Sequence, residues 1–289
     1  MLLFTAVALP AQLKYGFKTG LNFARISGPS ENSSAGANLE SWKTLTGFHI
    51  GLSLGYKIDE YFSVRGELLY TKRGGKYTFD GESYRIFNAD GNSVLTTGTS
   101  RYLINVNNAY LDLPVTFSGR WKDLELTVGG YAGLLIQSVG DGSLIYSCKT
   151  ALNNPVPNPN KPDEKLEFNL DYNYRKDDPG AGGEGTSTVT ATVDGKIVQL
   201  PKTIGAYYDY PEDKGNLYNS LDYGLVAGMS YYLSRSLFIS ARIQYGLADI
   251  TNNDADISKN RTANGATQLL YQSDTDRNVV IQVSVGFSF

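Results

Sequence analysis

Residues 279–289 read VVIQVSVGFSF, and this C-terminal stretch decides the fold. Every second side chain from Val279 to Phe289 is apolar, whereas the positions between them from Gln282 onward are polar or small. Successive side chains of a β-strand point to opposite faces. The stretch therefore predicts a strand with one apolar face and one polar face.

The same alternation recurs in seven earlier segments. They are 15–23, 48–57, 62–71, 108–118, 124–136, 221–231 and 237–247. Most of these runs are about 10 residues long, which is the length that a tilted strand needs to cross a bilayer. Strands of a soluble β-sandwich are shorter, at about 5 to 6 residues. Strand length therefore favours a membrane barrel over a sandwich.

Short and long connections alternate between these segments. The short connections are 59–61, 120–123 and 234–236, and the long ones are 27–46, 74–100, 147–219 and 251–277. Tight periplasmic turns alternating with long extracellular loops are typical of bacterial outer-membrane barrels. We predict an all-β, eight-stranded, antiparallel up-and-down transmembrane barrel over residues 12–289. The even strand number predicts that both termini are periplasmic.

The N-terminal residues 1–11 read MLLFTAVALPA and resemble the end of a secretory signal peptide. The chain has no run of about 18 apolar residues, which a transmembrane helix would need. Export without such a helix leaves a periplasmic, secreted or outer-membrane protein. The net charge of −3 and the isoelectric point near 5.3 give no reason to expect nucleic acid as a partner, since its binding usually needs a basic patch.

The inner face of the predicted barrel is charged. Its ionisable residues are Lys14, Lys18, His49, Lys57, Arg65, Glu67, Asp112, Glu125, Asp222 and Arg242. Both signs are present, so buried charges can pair, and side chains can fill an eight-stranded barrel. We predict a plugged interior, with inward-facing glycines making room for the long side chains.

Two local signals concern the strands and their loops. Pro114 lies inside a predicted strand, where it removes a ladder hydrogen bond, so we expect a bulge or register break there. Asp90-Gly91 and Asp194-Gly195 are hairpin-turn signals within the second and third long loops. We predict that strands of these loops extend the barrel wall or add a hairpin.

Signals for catalysis, cofactors and metals are weak. His49 has Ser53 four residues along on the same face, and Glu67 on the next strand, but a structural histidine is the simpler interpretation. The oxygen donors between Asn252 and Asp256 lack the spacing of an EF-hand. We expect no catalytic residue, no cofactor and no metal.

Several short motifs resemble the PorT-like outer-membrane β-barrel proteins of Bacteroidetes. They are YGFKTGLN at 15–22, YLDLPV at 110–115, VGGY at 128–131, DYGL at 222–225, YGLADI at 245–250 and VGFSF at 285–289. The resemblance implies an exported, OmpA-like eight-stranded barrel, and it makes Pro114 a family feature. Some members are tied to type IX secretion, and the family supplies no catalytic residues. The resemblance also implies that Val285, Phe287 and Phe289 form the signal for outer-membrane insertion.

We therefore expect a non-enzymatic structural or accessory subunit of the outer membrane. Its partners would be outer-membrane lipids and, through the extracellular loops, a partner protein in an outer-membrane complex or a surface ligand, with a link to protein secretion. One alternative is a narrow channel for small solutes. A second alternative is an outer-membrane hydrolase that uses His49.

Overall fold

The computed structural model describes residues 12–89, 92–151, 165–176, 187–193, 196–210, 212–263 and 267–289. Within these ranges the chain forms fifteen β-strands, and no helix there is long and apolar enough to cross a membrane. The strands are β1 Leu13–Ser27, β2 Glu40–Lys43, β3 Leu45–Lys57, β4 Phe62–Ala89, β5 Asn92–Trp121, β6 Leu124–Ala151, β7 Lys165–Asn173, β8 Thr188–Val193, β9 Lys196–Pro201, β10 Thr203–Ile204, β11 Leu221–Tyr232, β12 Leu237–Gly246, β13 Ile257–Thr262, β14 Leu269–Tyr271 and β15 Arg277–Ser288. The predicted signal segment 1–11 and the predicted turn pairs 90–91 and 194–195 lie outside the described residues.

Eight of these strands close into a barrel. The antiparallel order is β1, β3, β4, β5, β6, β11, β12 and β15, and β15 pairs back onto β1 with Leu21 opposite Val283. Each predicted segment overlaps one barrel strand. The eight-stranded antiparallel barrel is therefore confirmed, and so is the pairing of the C-terminal strand with the first one.

The outer wall of the barrel is apolar. Leu52, Val128 and Leu225 on different strands leave 62%, 59% and 57% of their surface exposed, whereas the next residue, Val226, is buried. Such a band of outward aliphatic side chains is stable against hydrocarbon rather than against water. Alternation along each strand therefore separates a lipid-facing wall from the interior.

Tight connections join the strands at one end, which we call the short-turn end. In the first turn, the Asp59 carboxylate accepts hydrogen bonds from the backbone N–H groups of Tyr61 and Phe62, at 2.8 and 2.7 Å. In the second turn, Lys122 has a φ of 57° and adopts the left-handed conformation. The connections at this end are therefore only a few residues long.

At the opposite end three strands continue far beyond the others. β4, β5 and β6 are 28, 30 and 28 residues long. We call the described residues of 28–44, 74–108, 137–220 and 247–276 the extension. Its hairpins agree with the prediction, since Ala89 pairs with Asn92 and Val193 pairs with Lys196.

The extension has a hydrophobic core of its own. Phe79, Leu144 and Phe168 are almost completely buried within it. β7 pairs with β6 and widens the sheet, and β10 adds to β7 in a parallel pairing at Asn169 and Thr203. Because the packed aromatic and aliphatic side chains are removed from water, the extension is a built layer rather than a set of separate loops.

The register break expected at Pro114 lies elsewhere. Pro114 pairs with Tyr131 in unbroken register, and the shift between β5 and β6 falls between Ala109 and Tyr110. On the β4 side the register is also the same before and after Pro114. The proline costs a ladder hydrogen bond without displacing the strand, so the expected break at that position is wrong.

Candidate functional site

The interior of the barrel contains three layers of paired charges. β4 supplies one residue to each layer, in the order Arg65, Glu67 and Arg73 from the short-turn end. In the first layer, Arg65 Nη1 lies 2.9 Å from Glu125 Oε1, and the Tyr232 hydroxyl donates to Glu125 Oε2 at 3.2 Å. These groups connect β4, β6 and β11 across the interior near the short turns.

The second layer surrounds Glu67. Its Oε2 atom lies 2.6 Å from Lys18 Nζ and 2.6 Å from Arg242 Nη1, and all three side chains are nearly completely buried. Gln282 accepts a hydrogen bond from Arg242 Nε. One carboxylate therefore neutralises part of the charge of two cations, which come from β1 and β12.

His49 lies beside this layer and is fully buried. Its Nδ1 atom is 2.7 Å from Asn22 Oδ1, and its Nε2 atom is 2.8 Å from Ser284 Oγ. Ser53, the nucleophile considered from the sequence, instead lines a cavity at the short-turn end, and Glu67 is held by the two cations. The three residues considered for hydrolysis do not form one site.

The third layer is centred on Arg73. Its Nη1 atom lies 2.8 Å from Asp112 Oδ2 and its Nη2 atom 2.7 Å from Asp222 Oδ2, with no exposure of any of these side chains. The guanidinium carbon lies 3.8 Å from the centre of the Tyr110 ring. Tyr131 donates its hydroxyl hydrogen to Asp222 at 3.3 Å.

Gly133 creates the space for this layer. A Cβ atom at Gly133 would lie 2.4 Å from Asp112 Oδ1 and 2.9 Å from Arg73 Nη2. Any larger residue would push into the ion pair. At this position the structure agrees with the prediction that inward glycines make room for charged side chains.

All ten ionisable residues named from the sequence lie on the inner face. Eight of them enter the contacts above, whereas Lys14 and Lys57 are half-buried and line the cavity at the short-turn end. Sequence reasoning missed Arg73, because the predicted strand ended at Thr71. The signal was present, since Arg73 continues the inward positions of Arg65, Glu67 and Thr71.

The extension holds a cavity of about 110 Å³, which we call the aromatic cavity. Half of its lining residues are aromatic or acidic, and Lys259 is also in its wall. Its aromatic residues include Trp42, Tyr77, Tyr102, Tyr172, Tyr174 and Tyr210, and its acidic residues include Glu40, Asp256, Asp274 and Asp276. A second cavity, of about 310 Å³, lies at the short-turn end and shares no lining residue with the first.

The carboxyl groups of the aromatic cavity have altered acidities. Burial raises the pKa of Asp256 to about 7, with Lys259 opposing this and Asp276 and Asp274 adding to it. Burial also raises the pKa of Asp276 to about 6, although the hydrogen bond from Thr251 opposes the shift. Removing carboxylates from water disfavours their charged form unless a cation compensates.

An apolar wall around a closed, charge-filled interior defines a transmembrane β-barrel of the bacterial outer membrane. The chain belongs to the family described as the outer membrane protein beta-barrel domain, whose model matches residues 9–252. A search of curated proteins gives no match.

Several solved structures are similar to this chain at low sequence identity. The attachment invasion locus protein Ail of Yersinia pestis is 11% identical, with a TM-score of 0.33, and 96% of this chain and 99% of that chain are covered. Neisserial surface protein A is 10% identical, with a TM-score of 0.37 and coverage of 95% and 97%. The outer membrane protease OmpT from Escherichia coli is 10% identical, with a TM-score of 0.31 and coverage of 100% and 98%.

Proposed function

We propose that this barrel is a non-enzymatic accessory subunit of the outer membrane whose extension binds a partner protein or a surface ligand. The observation that carries the proposal is the division of the molecule into a plugged barrel and a packed extension. Side chains fill the barrel with buried ion pairs, whereas the extension has its own core and a cavity. The filled barrel suits anchoring in the membrane, and the extension suits binding of a partner or ligand.

In this proposal the extension faces the cell exterior and the short turns face the periplasm. Long strands outside and tight turns inside are the usual arrangement of bacterial barrels. Both termini would then be periplasmic. The motifs shared with PorT-like proteins support a place in that branch of the family, and a protein-secretion complex would be the class of partner.

The surroundings of His49 support a non-enzymatic role. Both ring nitrogens already have hydrogen-bond partners within the barrel wall, and the side chain has no exposed surface. A hydrolase requires a nucleophile and base that a substrate can reach. The plugged interior likewise favours an anchor over the channel alternative.

The proposal predicts that the extension is required for partner capture. The tagged full-length chain is extracted from its own membranes after mild crosslinking and compared with a variant in which Gly-Ser replaces residues 188–201, which hold the β8–β9 hairpin. We expect a stoichiometric partner with the intact chain and a severalfold loss with the variant.

A matched control replaces the turn Ser234–Ser236 at the opposite end with the same kind of linker. This change should leave capture unaltered, because the turn is far from the extension in the fold. Absence of any stoichiometric partner, or equal loss in both variants, contradicts the proposal.

A further inference from the structure

Three carboxylates converge on the wall of the aromatic cavity. One carboxylate oxygen from each of Asp256, Asp274 and Asp276 lies within 4.8 Å of the other two. The Thr251 hydroxyl donates to Asp276 Oδ2 at 2.8 Å, and the backbone N–H of Asp276 donates to Asp249 Oδ1 at 3.1 Å. These two hydrogen bonds hold Asp276 in place.

The cluster has no close cationic partner among the described residues. None of the three carboxylates forms an ion pair within 4 Å with a described lysine or arginine. Lys259 lines the same cavity, but its ammonium group lies over the Tyr77 ring, 4.8 Å from the ring centre. Adjacent carboxylates without a partner repel one another, and a bound cation removes that repulsion.

Tyr77 provides a second, independent observation. Its side chain lines the same cavity and is only 5% exposed, yet its hydroxyl group has no hydrogen-bond partner. Asp274 Oδ1 and Glu40 Oε1 are also buried without a partner. Buried polar groups are almost always paired with protein, ordered water or an ion. These atoms therefore point to a polar occupant of the cavity.

We propose that Asp256, Asp274 and Asp276 bind a calcium ion at the wall of the aromatic cavity. Calcium takes about 6 to 8 oxygen ligands, and carboxylates bind it through one oxygen or two. Water completes the coordination shell, and the Tyr77 hydroxyl bonds to a coordinated water. A donor set of oxygens without histidine or cysteine suits calcium better than zinc, and calcium tolerates irregular geometry better than magnesium.

This site goes beyond the proposed partner binding and does not depend on it. The ion links Asp256, which immediately precedes β13, to Asp274 and Asp276, which precede β15. Calcium therefore fixes both ends of the β13–β14 hairpin segment against the cavity.

The test is a terbium titration of the full-length protein in detergent after treatment with a chelator. Tb³⁺ binds at calcium sites, and excited tyrosine and tryptophan rings close to the ion transfer energy to it. We expect saturable Tb³⁺ luminescence that calcium displaces, with a calcium dissociation constant of about 10⁻⁴ to 10⁻³ M, as in extracellular modules. Isothermal titration with calcium alone provides the direct constant.

Two variants in one segment distinguish calcium binding at the cluster from a general effect of surface charge. Asp256→Asn should weaken calcium binding about tenfold or more, because it removes a charged ligand. Asp254→Asn removes the same charge from an exposed neighbour outside the cluster and should leave binding unchanged. Absence of saturable calcium binding by the wild-type protein overturns the proposal, as does equal weakening in the two variants.

Discussion

The side chain of Arg73 connects three strands of the barrel. It extends from β4 to Asp112 on β5 and Asp222 on β11, and all three side chains are withdrawn from water. Asn278 on β15 donates a further hydrogen bond to Asp222 at 2.9 Å. Removing one partner of a buried ion pair is costly, because it leaves the remaining charge uncompensated.

The substitution Arg73→Ala tests the contribution of this network to stability. The substitution leaves two buried carboxylates without their cation, so we expect a loss of about 3 to 5 kcal/mol in the free energy of unfolding. The measurement is urea unfolding of the purified barrel in detergent, followed by tryptophan fluorescence.

Arg101→Ala is the matched control for this prediction. Arg101 lies on the neighbouring β5 strand. Its Nε atom is 3.6 Å from Asp80 Oδ2, but its side chain is 58% exposed. An exposed pair of this kind contributes less than about 1 kcal/mol. If both substitutions destabilise the barrel equally, the interior network does not have the role assigned to it.

At the scale of the elements, the barrel strands could be predicted because each has lipid on one face. That environment imposes a strict alternation, which is why residues 279–289 and the seven other segments indicate their strands. The inner charges followed from the same alternation. Arg73 was missed only because the prediction ended that strand two residues too early.

Less of the extension could be predicted from the sequence. The Asp-Gly pairs predicted its hairpins, but the parallel pairing of β10 with β7 has no local signal. The carboxylate cluster was also hidden, because Asp256 is 18 positions from Asp274 and the fold of the β13–β14 segment brings them together. An EF-hand, by contrast, can be recognised in a sequence because its ligands lie in one short loop.

The element-scale prediction concerns the end of β15. Phe289 is 76% exposed, and its backbone N–H donates to the Tyr15 carbonyl at 2.7 Å. Phe289→Ala keeps that hydrogen bond and removes only the ring. We expect severalfold less folded protein in the outer membrane, whereas the free energy of unfolding of the inserted fraction changes by about 0.5 kcal/mol at most.

Tyr61→Ala provides the control for an exposed aromatic ring at the same end. Tyr61 is 52% exposed and lies in the first short turn, away from the C-terminus. Quantitative blotting of membrane fractions should show normal insertion for this variant. Normal insertion of Phe289→Ala as well would count against Val285, Phe287 and Phe289 as an insertion signal.

At the scale of the whole molecule, the two cavities are separated by the filled interior. The cavity at the short-turn end and the aromatic cavity have no lining residue in common. Between them lie the layers centred on Glu67 and Arg73, whose ion pairs are buried. Solutes would have to break these pairs to pass, which supports the proposal that the barrel anchors the extension in the membrane.

The most direct measurement of this central claim is the conductance of the wild-type protein in planar lipid bilayers. A wide porin reconstituted in the same way serves as the control for successful insertion. The plugged interior predicts a baseline without stable current steps after insertion. Stable single-channel openings of uniform size would contradict it and would favour the channel alternative.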